Sequence, residues 1–204
     1  MKAVLQVLGV ESTTDGIPVH GMLDPDILRI MMRAAGVGSE DIAKAMPAII
    51  EAAQDIYEHG VPDLRDKTCP GVESLLADLE RRGAVLALVT GNLTRIGWRK
   101  LERAGLKSWF RFGAFGEMAA TRGGLVRLAL EQARRADPAL EMARVTLIGD
   151  AAQDVIAARE NDIRSVAVRT GITAPEELAC TLPGLLIDDL THPGLAARLT
   201  DPIE

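Results

Sequence analysis

The sequence predicts an α/β fold with a parallel sheet, joined to an all-helical subdomain on its N-terminal side. Residues 1–60 show only helical periodicity, whereas the rest of the chain alternates helical stretches with short apolar runs. These runs are continuous, as strands buried on both faces of a sheet require. With 204 residues, 48% of them hydrophobic, the chain is long enough for one domain with a small insert. We therefore predict a helical subdomain over 1–68 and an α/β core domain over 69–204.

Two helices are predicted in the helical subdomain. The first begins at Asp24-Pro25-Asp26, where Asp24 is the expected N-cap and the proline suits the first turn. The second begins near Ser39 and carries an apolar stripe up to His59-Gly60, which is expected to end it. Residues 61–68, with a proline and mixed charges, form the predicted linker to the core domain.

Helices and strands alternate through the predicted core domain. In chain order they are a helix over 72–79, a strand over 84–89, a helix over 93–104, a strand over 111–115, a helix over 125–135, a strand over 145–148, a helix over 154–160, and strands over 165–168 and 185–187. Helices between strands imply right-handed crossovers and a parallel sheet. Ligands bind at the carboxyl ends of such strands, so the residues directly after each strand are the first candidates for a functional site.

Composition argues against several classes of function. The net charge of −6 and the presence of only six aromatic residues disfavour a nucleic-acid partner. The longest uncharged apolar stretch, 83–94, is shorter than the roughly 18 residues that span a membrane, and no signal-peptide pattern is present. Cys69 and Cys180 stand alone. We therefore expect a cytoplasmic protein without a membrane or nucleic-acid partner, while metal ions and small ligands stay open.

Two carboxylates follow the predicted strand 145–148 directly. In Gly149-Asp150-Ala151-Ala152-Gln153-Asp154 the acids lie four residues apart, so the first turn of a helix brings them to one side. Paired carboxylates at a sheet edge suit magnesium, which prefers oxygen ligands. The alternative is that Asp150 caps the helix and Asp154 is a solvated helix residue.

The predicted strand 84–89 ends in Thr90-Gly91-Asn92. A hydroxyl and accessible backbone amides near a helix N-terminus favour an anionic oxygen. The alternative is a plain turn in which Thr90 caps the next helix. Lys100 lies on that helix, where a lysine is either part of a site or a solvated charge.

The order of these segments resembles the haloacid-dehalogenase-like (HAD) superfamily, and its phosphoglycolate-phosphatase-like branch in particular. Three of the four signature segments of that superfamily match in order: residues 88–92 resemble the second, 100–106 the third and 149–154 the fourth. The resemblance covers nearly the whole chain. It implies a Rossmann-like parallel core, with residues 1–68 as a helical cap subdomain.

The resemblance also implies a magnesium-dependent phosphatase of small phosphomonoesters that forms an aspartyl-phosphate. The phosphoryl group would be bound by Thr90, Gly91, Asn92 and Lys100, of which Thr90 and Lys100 would be catalytic. Asp150 and Asp154 would hold Mg²⁺ directly or through water. The implied partner is a small phosphorylated substrate, and phosphoglycolate is the first candidate.

The first signature segment, Asp-x-Asp-Gly-Thr on an opening strand, has no counterpart in the sequence. We expect residues 1–10 to be the tail of the helix that normally follows it, so that the central opening strand is missing. The strands 84–89 and 145–148 would then face each other across a gap with unpaired edges. The alternative is that residues 2–8 are themselves the opening strand, with non-acidic residues at the aspartate positions. Either way the nucleophile is absent, and we expect hydrolysis of phosphate esters at or near background.

The sequence leaves alternatives open for the roles of two residues and for the function. His20 and Arg122 are candidates for substrate contact, against simpler roles in capping or on the surface. A non-catalytic ligand-binding or interaction module on the same fold is the second hypothesis for the function. A haloacid dehalogenase is the weakest hypothesis. Its attack on carbon needs no metal, so the pair Asp150 and Asp154 disfavours it. The sequence does not distinguish a monomer from a homodimer.

Overall fold

Three helices occupy the first sixty residues of the computed structural model, which describes residues 1–201. Their bounds are α1 (Lys2–Leu8), α2 (Asp24–Ala34) and α3 (Ser39–Gly60). The end of the predicted core domain, 202–204, lies outside the described residues. Both α1 and α2 pack on α3. The eight buried residues of this cluster are Ala3, Val4, Leu28, Met31, Met32, Ile42, Ile49 and Ala52.

The segment Lys2–Leu8 is helical, so the alternative that made it an opening strand is wrong. Ala3 and Val4 are buried against α3, and Val7 and Leu8 pack against the same cluster. Positions 3 and 4 are thus followed four residues later by 7 and 8 on the same side, which is the spacing of a helix and not of a strand. Burial of these four residues therefore stabilises a helix, although the segment contains two valines, which favour strands.

The remaining residues form an α/β core, which confirms the predicted fold class. Its strands are β1 (Ala87–Val89), β2 (Phe112–Ala114), β3 (Thr146–Gly149), β4 (Arg164–Val168) and β5 (Leu185–Ile187). Its helices are α4 (Val72–Arg81), α5 (Thr94–Arg103), α6 (Arg122–Ala136), α7 (Ala152–Glu160), α8 (Pro175–Cys180) and α9 (Leu195–Thr200). The short helices α8 and α9 were not expected from the sequence. None of the helices in the described part of the chain has the length and apolarity that a membrane crossing requires.

The strands of the described chain form two parallel sheets instead of one. β1 pairs with β2, and β3, β4 and β5 pair in that order. A slot of about 410 Å³ separates β1 from β3 and is lined by both strands. This is the gap that was predicted between these two segments.

β1 is shorter than the apolar run that predicts it. The run begins at residue 84, but regular pairing begins only where Ala87 meets Phe112 of β2. Val85 is 46% exposed. On its other edge β1 has no partner strand among the described residues. Before Ala87, the Leu86 carbonyl still accepts the N–H of Arg111 at 3.1 Å, so it is the first two residues of the run that lie outside the regular strand.

Candidate active site

The loop before α2 contacts the ends of the core strands; together with Asp24, the first residue of that helix, it is named here the loop 20–24. The carbonyl of Met22 lies so close to Gly91, directly after β1, that a Cβ at position 91 would overlap it. Gly21 in turn lies against the side chain of Gln153 at the start of α7, shortly after β3. One five-residue loop therefore reaches the residues that follow both β1 and β3. The carboxyl ends of these strands lie on the same edge of the core, where the candidate residues were expected.

Three of the predicted phosphate-binding residues form one hydrogen-bonded group. The backbone N–H of Asn92 donates to Thr90 Oγ1 at 3.2 Å, and Lys100 Nζ donates to Asn92 Oδ1 at 2.8 Å. Because Thr90 Oγ1 accepts a bond from the backbone, its own hydroxyl hydrogen can be donated to a ligand. The arrangement places a hydroxyl donor and an ammonium group beside the turn that begins α5.

Asp24 also belongs to this group, although the sequence predicts it to be the N-cap of its own helix. That prediction is wrong, because Leu23 is the N-cap of α2 and no side chain caps it. The Asp24 carboxylate accepts a bond from the backbone N–H of Leu93 at 2.9 Å and from Asn92 Nδ2 at 3.3 Å. It therefore satisfies a free N–H at the start of α5, on the other side of the subdomain boundary.

Lys100 is not a solvated surface lysine. Burial lowers the pKa of its ammonium group, and the nearby Asp24 carboxylate partly opposes this effect. Its Nζ also lies 5.8 Å from the ring centroid of Tyr57 on α3. The Lys100 side chain is therefore held between the core and the helical subdomain, with its charge directed at the group formed by Thr90 and Asn92.

Arg122 is likewise not a surface residue, so the surface interpretation of this arginine is wrong. Its Nη1 pairs with Asp154 Oδ1 at 3.1 Å, and the two side chains are only 15% and 11% exposed. Asp154 Oδ2 accepts the backbone N–H of Ala151 at 3.1 Å. Burial raises the pKa of Asp154, and Arg122 opposes the shift. Both carboxylate oxygens of Asp154 are thus already occupied by protein donors.

Asp150 is the better placed of the two acids for a metal ion. Its carboxylate lies against Gly171, and within residues 1–201 no hydrogen bond or salt bridge reaches it. The same residues contain no group of three or more His, Cys, Asp and Glu side chains that could hold a metal. Mg²⁺ is often bound by one or two carboxylates, with phosphate oxygens and water completing its shell. The residues present fit a magnesium ion held directly by Asp150, with Asp154 acting through water.

His20 and Arg122, the predicted substrate contacts, both lie at this edge. His20 Nε2 is 3.2 Å from the hydroxyl oxygen of Thr173, which follows β4. Arg122 Nη2 donates to the carbonyl of Gly21 at 3.5 Å. Both side chains therefore help to hold the loop 20–24 against the core, and their contact with a substrate stays a prediction.

The main contact between α3 and α5 was missed by the sequence analysis. Arg95 forms salt bridges with Glu51, Asp55 and Glu58, and its backbone N–H donates to the buried Gln54 side chain at 2.9 Å. The three acids are spaced four and three residues apart, so they lie on one face of the helix. That spacing is a signal that could have revealed the contact.

Asp24 provides a testable dependence of stability on pH. Its pKa is raised above the ordinary value of 3.8, chiefly by burial. The folded chain therefore binds the proton more tightly than the unfolded chain, and this stabilisation is lost as the pH rises through the raised pKa. We expect the difference in free energy of unfolding between wild type and Asp24→Ala to shrink between about pH 4 and about pH 7.

Urea unfolding of both proteins over that pH range measures this difference. Asp66→Ala, which removes an exposed carboxylate, controls for the change in net charge. A difference that stays constant or grows with pH would contradict the burial argument for Asp24.

The fold and the grouped polar side chains define an α/β protein with a cluster of polar and charged side chains after its strands. The chain belongs to the haloacid dehalogenase-like hydrolase family, whose pattern matches residues 27–168. It is 30% identical over 141 residues to a phosphoglycolate phosphatase of Caulobacter vibrioides, covering 68% of this chain and 57% of that protein. It is 27% identical over 155 residues to phosphoglycolate phosphatase 1 of Pseudomonas aeruginosa, covering 76% of this chain and 54% of that protein. The predicted family and branch are confirmed.

Solved structures show the same fold. The β-phosphoglucomutase of Clostridium difficile superposes with a TM-score of 0.68 at 15% identity, covering 97% of this chain and 84% of that one. A hydrolase of Pseudomonas syringae superposes with a TM-score of 0.63 at 18% identity, covering 98% of this chain and 89% of that one. The chain spans little more than half the length of the curated relatives it matches.

Proposed function

We propose that the site binds the phosphoryl group of a small phosphomonoester together with Mg²⁺. The observation that carries this proposal is the grouping of Thr90, Asn92 and Lys100 at the sheet edge that also holds Asp150. Thr90, Asn92 and Lys100 follow β1, whereas Asp150 follows β3. The loop 20–24 contacts residues beside each of these two segments. A structural role alone does not require a half-buried ammonium group next to a hydroxyl donor.

Each side chain has a distinct part in binding the phosphoryl group. Thr90 would donate its hydroxyl hydrogen to a phosphoryl oxygen, and the backbone of Gly91 leaves room for close approach. Lys100 would supply a positive charge whose partial burial strengthens its attraction to the phosphate. Mg²⁺, held by Asp150, would neutralise charge on the phosphoryl oxygens when bound. The resulting electrostatic stabilisation is the largest contribution expected in such sites.

Hydrolysis would need a carboxylate nucleophile in addition to these groups. The resemblance implies an aspartate on a strand for this role. Among residues 1–201, no third acidic side chain joins Asp150 and Asp154 in a metal-holding group. We therefore expect the purified chain to bind phosphate with Mg²⁺ and to hydrolyse p-nitrophenyl phosphate only at background.

Phosphoglycolate is the substrate we propose first, because two relatives of this chain carry the name phosphoglycolate phosphatase. Localisation in the cytoplasm belongs to the same proposal. The second candidate function is a non-catalytic phosphate-binding module, which is favoured because residues 1–201 place no third carboxylate beside Asp150 and Asp154. Magnesium dependence separates both from a dehalogenase, whose attack on carbon needs no metal.

Asp150→Asn tests the proposed metal site. We expect this variant to weaken the binding of inorganic phosphate in the presence of Mg²⁺ by more than about tenfold, since Asp150 is, of the two acids after β3, the one whose carboxylate accepts no bond within residues 1–201. Binding without Mg²⁺ is expected to change little. Isothermal titration of inorganic phosphate, with and without Mg²⁺, measures both effects.

Asp188→Asn is the matched control, because Asp188 is a highly exposed acid directly after β5 that pairs with Arg169. It is expected to leave both affinities unchanged. Equal phosphate affinity with and without Mg²⁺ in the wild type would argue against the metal, and an absence of phosphate binding in either condition would argue against the whole proposal.

A further inference from the structure

Two carboxylates from other parts of the chain accept the first backbone N–H groups of α5. The N–H of Leu93 donates to Asp24 Oδ2 at 2.9 Å, and the N–H of Thr94 donates to Glu117 Oε1 at the same distance. Asp24 begins α2, whereas Glu117 follows β2. Both acids carry charge of the same sign as phosphate, so a purely electrostatic role of either one would weaken phosphate binding nearby.

Asp24 differs from Glu117 because, within residues 1–201, it alone of the two also bonds to Asn92. Asn92 Nδ2 lies 3.3 Å from both carboxylate oxygens of Asp24, and Asn92 Oδ1 accepts a bond from Lys100 Nζ at 2.8 Å. A carboxylate accepts hydrogen bonds and an ammonium group only donates them, so the Asn92 amide has one possible orientation. Asp24 therefore determines which end of this amide faces Lys100.

The chain of contacts ends in a donor that is available to a ligand. Both ends of the Asn92 amide have a protein partner, and its backbone N–H donates to Thr90 Oγ1. Lys100 Nζ uses one hydrogen on Asn92 and lies 5.8 Å from the ring centroid of Tyr57. At least one of its three hydrogens is therefore left for a ligand. Asn92 is thus better placed to orient Lys100 than to bind phosphate itself.

We propose that Asp24 is a positioning residue for phosphate binding, which orients the Asn92 amide and through it holds the ammonium group of Lys100 toward the ligand. This inference rests on the proposed function, since the ligand is the phosphate that Lys100 would bind. It gives the helical subdomain a part in the site, because Asp24 belongs to α2 and its backbone N–H donates to the Gly91 carbonyl at 2.8 Å. Asp24 then increases phosphate affinity although its own charge repels phosphate.

Asp24→Asn separates the two effects by their sign. The new amide keeps the size of the side chain, and its oxygen can still accept the Leu93 N–H. One of the two atoms that lie 3.3 Å from Asn92 Nδ2 becomes a donor, however, so two NH₂ groups face each other. If Asn92 turns over to avoid this contact, its NH₂ group faces Lys100, which loses its acceptor. We expect phosphate affinity to fall about fivefold or more, whereas a purely electrostatic role requires tighter binding.

Isothermal titration of inorganic phosphate in the presence of Mg²⁺ measures this change, and Glu117→Gln is the matched control. It removes one negative charge at the same helix start, and the new side-chain oxygen can still accept the Thr94 N–H. We expect its phosphate affinity to stay within about twofold of the wild-type value or to rise. Unchanged or tighter binding by Asp24→Asn, or an equal loss in both variants, would overturn the proposal.

The motion of the Lys100 side chain gives a readout that needs no phosphate. The chain has five lysines, and the other four are exposed: Lys2, Lys44, Lys67 and Lys107. NMR relaxation of Cε in protein made with carbon-13 lysine compares Lys100 with these four. We expect restricted motion of Lys100 in the wild type and in Glu117→Gln, and motion close to that of the exposed lysines in Asp24→Asn. Equal restriction in Asp24→Asn and the wild type would overturn the proposal.

The double variant Asp24→Asn with Asn92→Asp tests for rescue at unchanged net charge. The carboxylate then lies at position 92, where it can accept from Lys100 and from the amide at position 24, so every donor again faces an acceptor. We expect the motion of Lys100 to be restricted again, which a general loss of packing would not allow. A lysine as mobile as in Asp24→Asn alone would overturn the proposal. If the wild type binds no phosphate, the proposed function fails, whereas the motion of Lys100 still shows whether Asp24 holds it.

Discussion

Lys100→Met is expected to abolish most of the affinity for inorganic phosphate. The methionine keeps the length and packing of the side chain but removes the ammonium group, whose Nζ lies 2.8 Å from Asn92 Oδ1. Hydrogen bonds to charged groups contribute roughly 1.5–3 kcal/mol, which corresponds to a loss of about tenfold to more than a hundredfold in affinity. Isothermal titration of phosphate in the presence of Mg²⁺ measures the change.

The matched control for this variant is Lys107→Met. Lys107 lies shortly after α5 and its side chain is 53% exposed, so it is a solvated charge in the same region. We expect phosphate affinity to fall only slightly, through the change in net charge. If both variants lose affinity equally, phosphate responds to the overall charge of the chain and the role of Lys100 is refuted.

The loss of charge at Lys100 has a second expected consequence for the fold. The ammonium group lies near the half-buried Asp24 carboxylate and lowers its pKa, so its removal leaves that carboxylate with one favourable interaction fewer. A folded but slightly less stable protein is therefore expected. The unfolding midpoint in urea has to be recorded beside the titration, so that loss of the site is not confused with loss of the fold.

The strands of the core could be predicted because their environment demands a distinctive composition. A strand covered on both faces disfavours polar side chains; the run before Thr90 has none, and the run before Asp150 has only Thr146. The polar residues that follow them then mark the sheet edge. Fold class and most candidate residues are therefore encoded locally.

The partners of those residues could not be predicted, because they come from distant parts of the chain. Asp24 has a good local reason to cap its own helix, yet it bonds to Leu93, which is 69 residues away. Arg122 looks like a helix-start arginine, but its partner Asp154 lies on α7, beyond β3. A local signal and a distant bond compete for such side chains, and only the packing of the elements decides between them.

Phe115 is a buried side chain that packs against α5. It follows β2, is 1% exposed, and its ring centroid lies 5.3 Å from that of Trp98 on α5. Gly97 approaches the same ring so closely that an added Cβ would lie 2.8 Å from it. The backbone of α5 at Gly97 and the ring of Trp98 therefore both pack against Phe115.

Phe115→Ala is expected to lower the free energy of unfolding by about 3–5 kcal/mol, because the removal of a fully buried ring leaves a large cavity. Urea unfolding followed by tryptophan fluorescence measures this loss. Phe110→Ala is the matched control, since Phe110 is only half-buried, and it is expected to cost less than about half as much. In the folded fraction of Phe115→Ala, phosphate affinity should also fall, because α5 carries Lys100 and loses the ring that packs against Gly97 and Trp98. Equal costs for the two variants would show that Phe115 does not anchor α5.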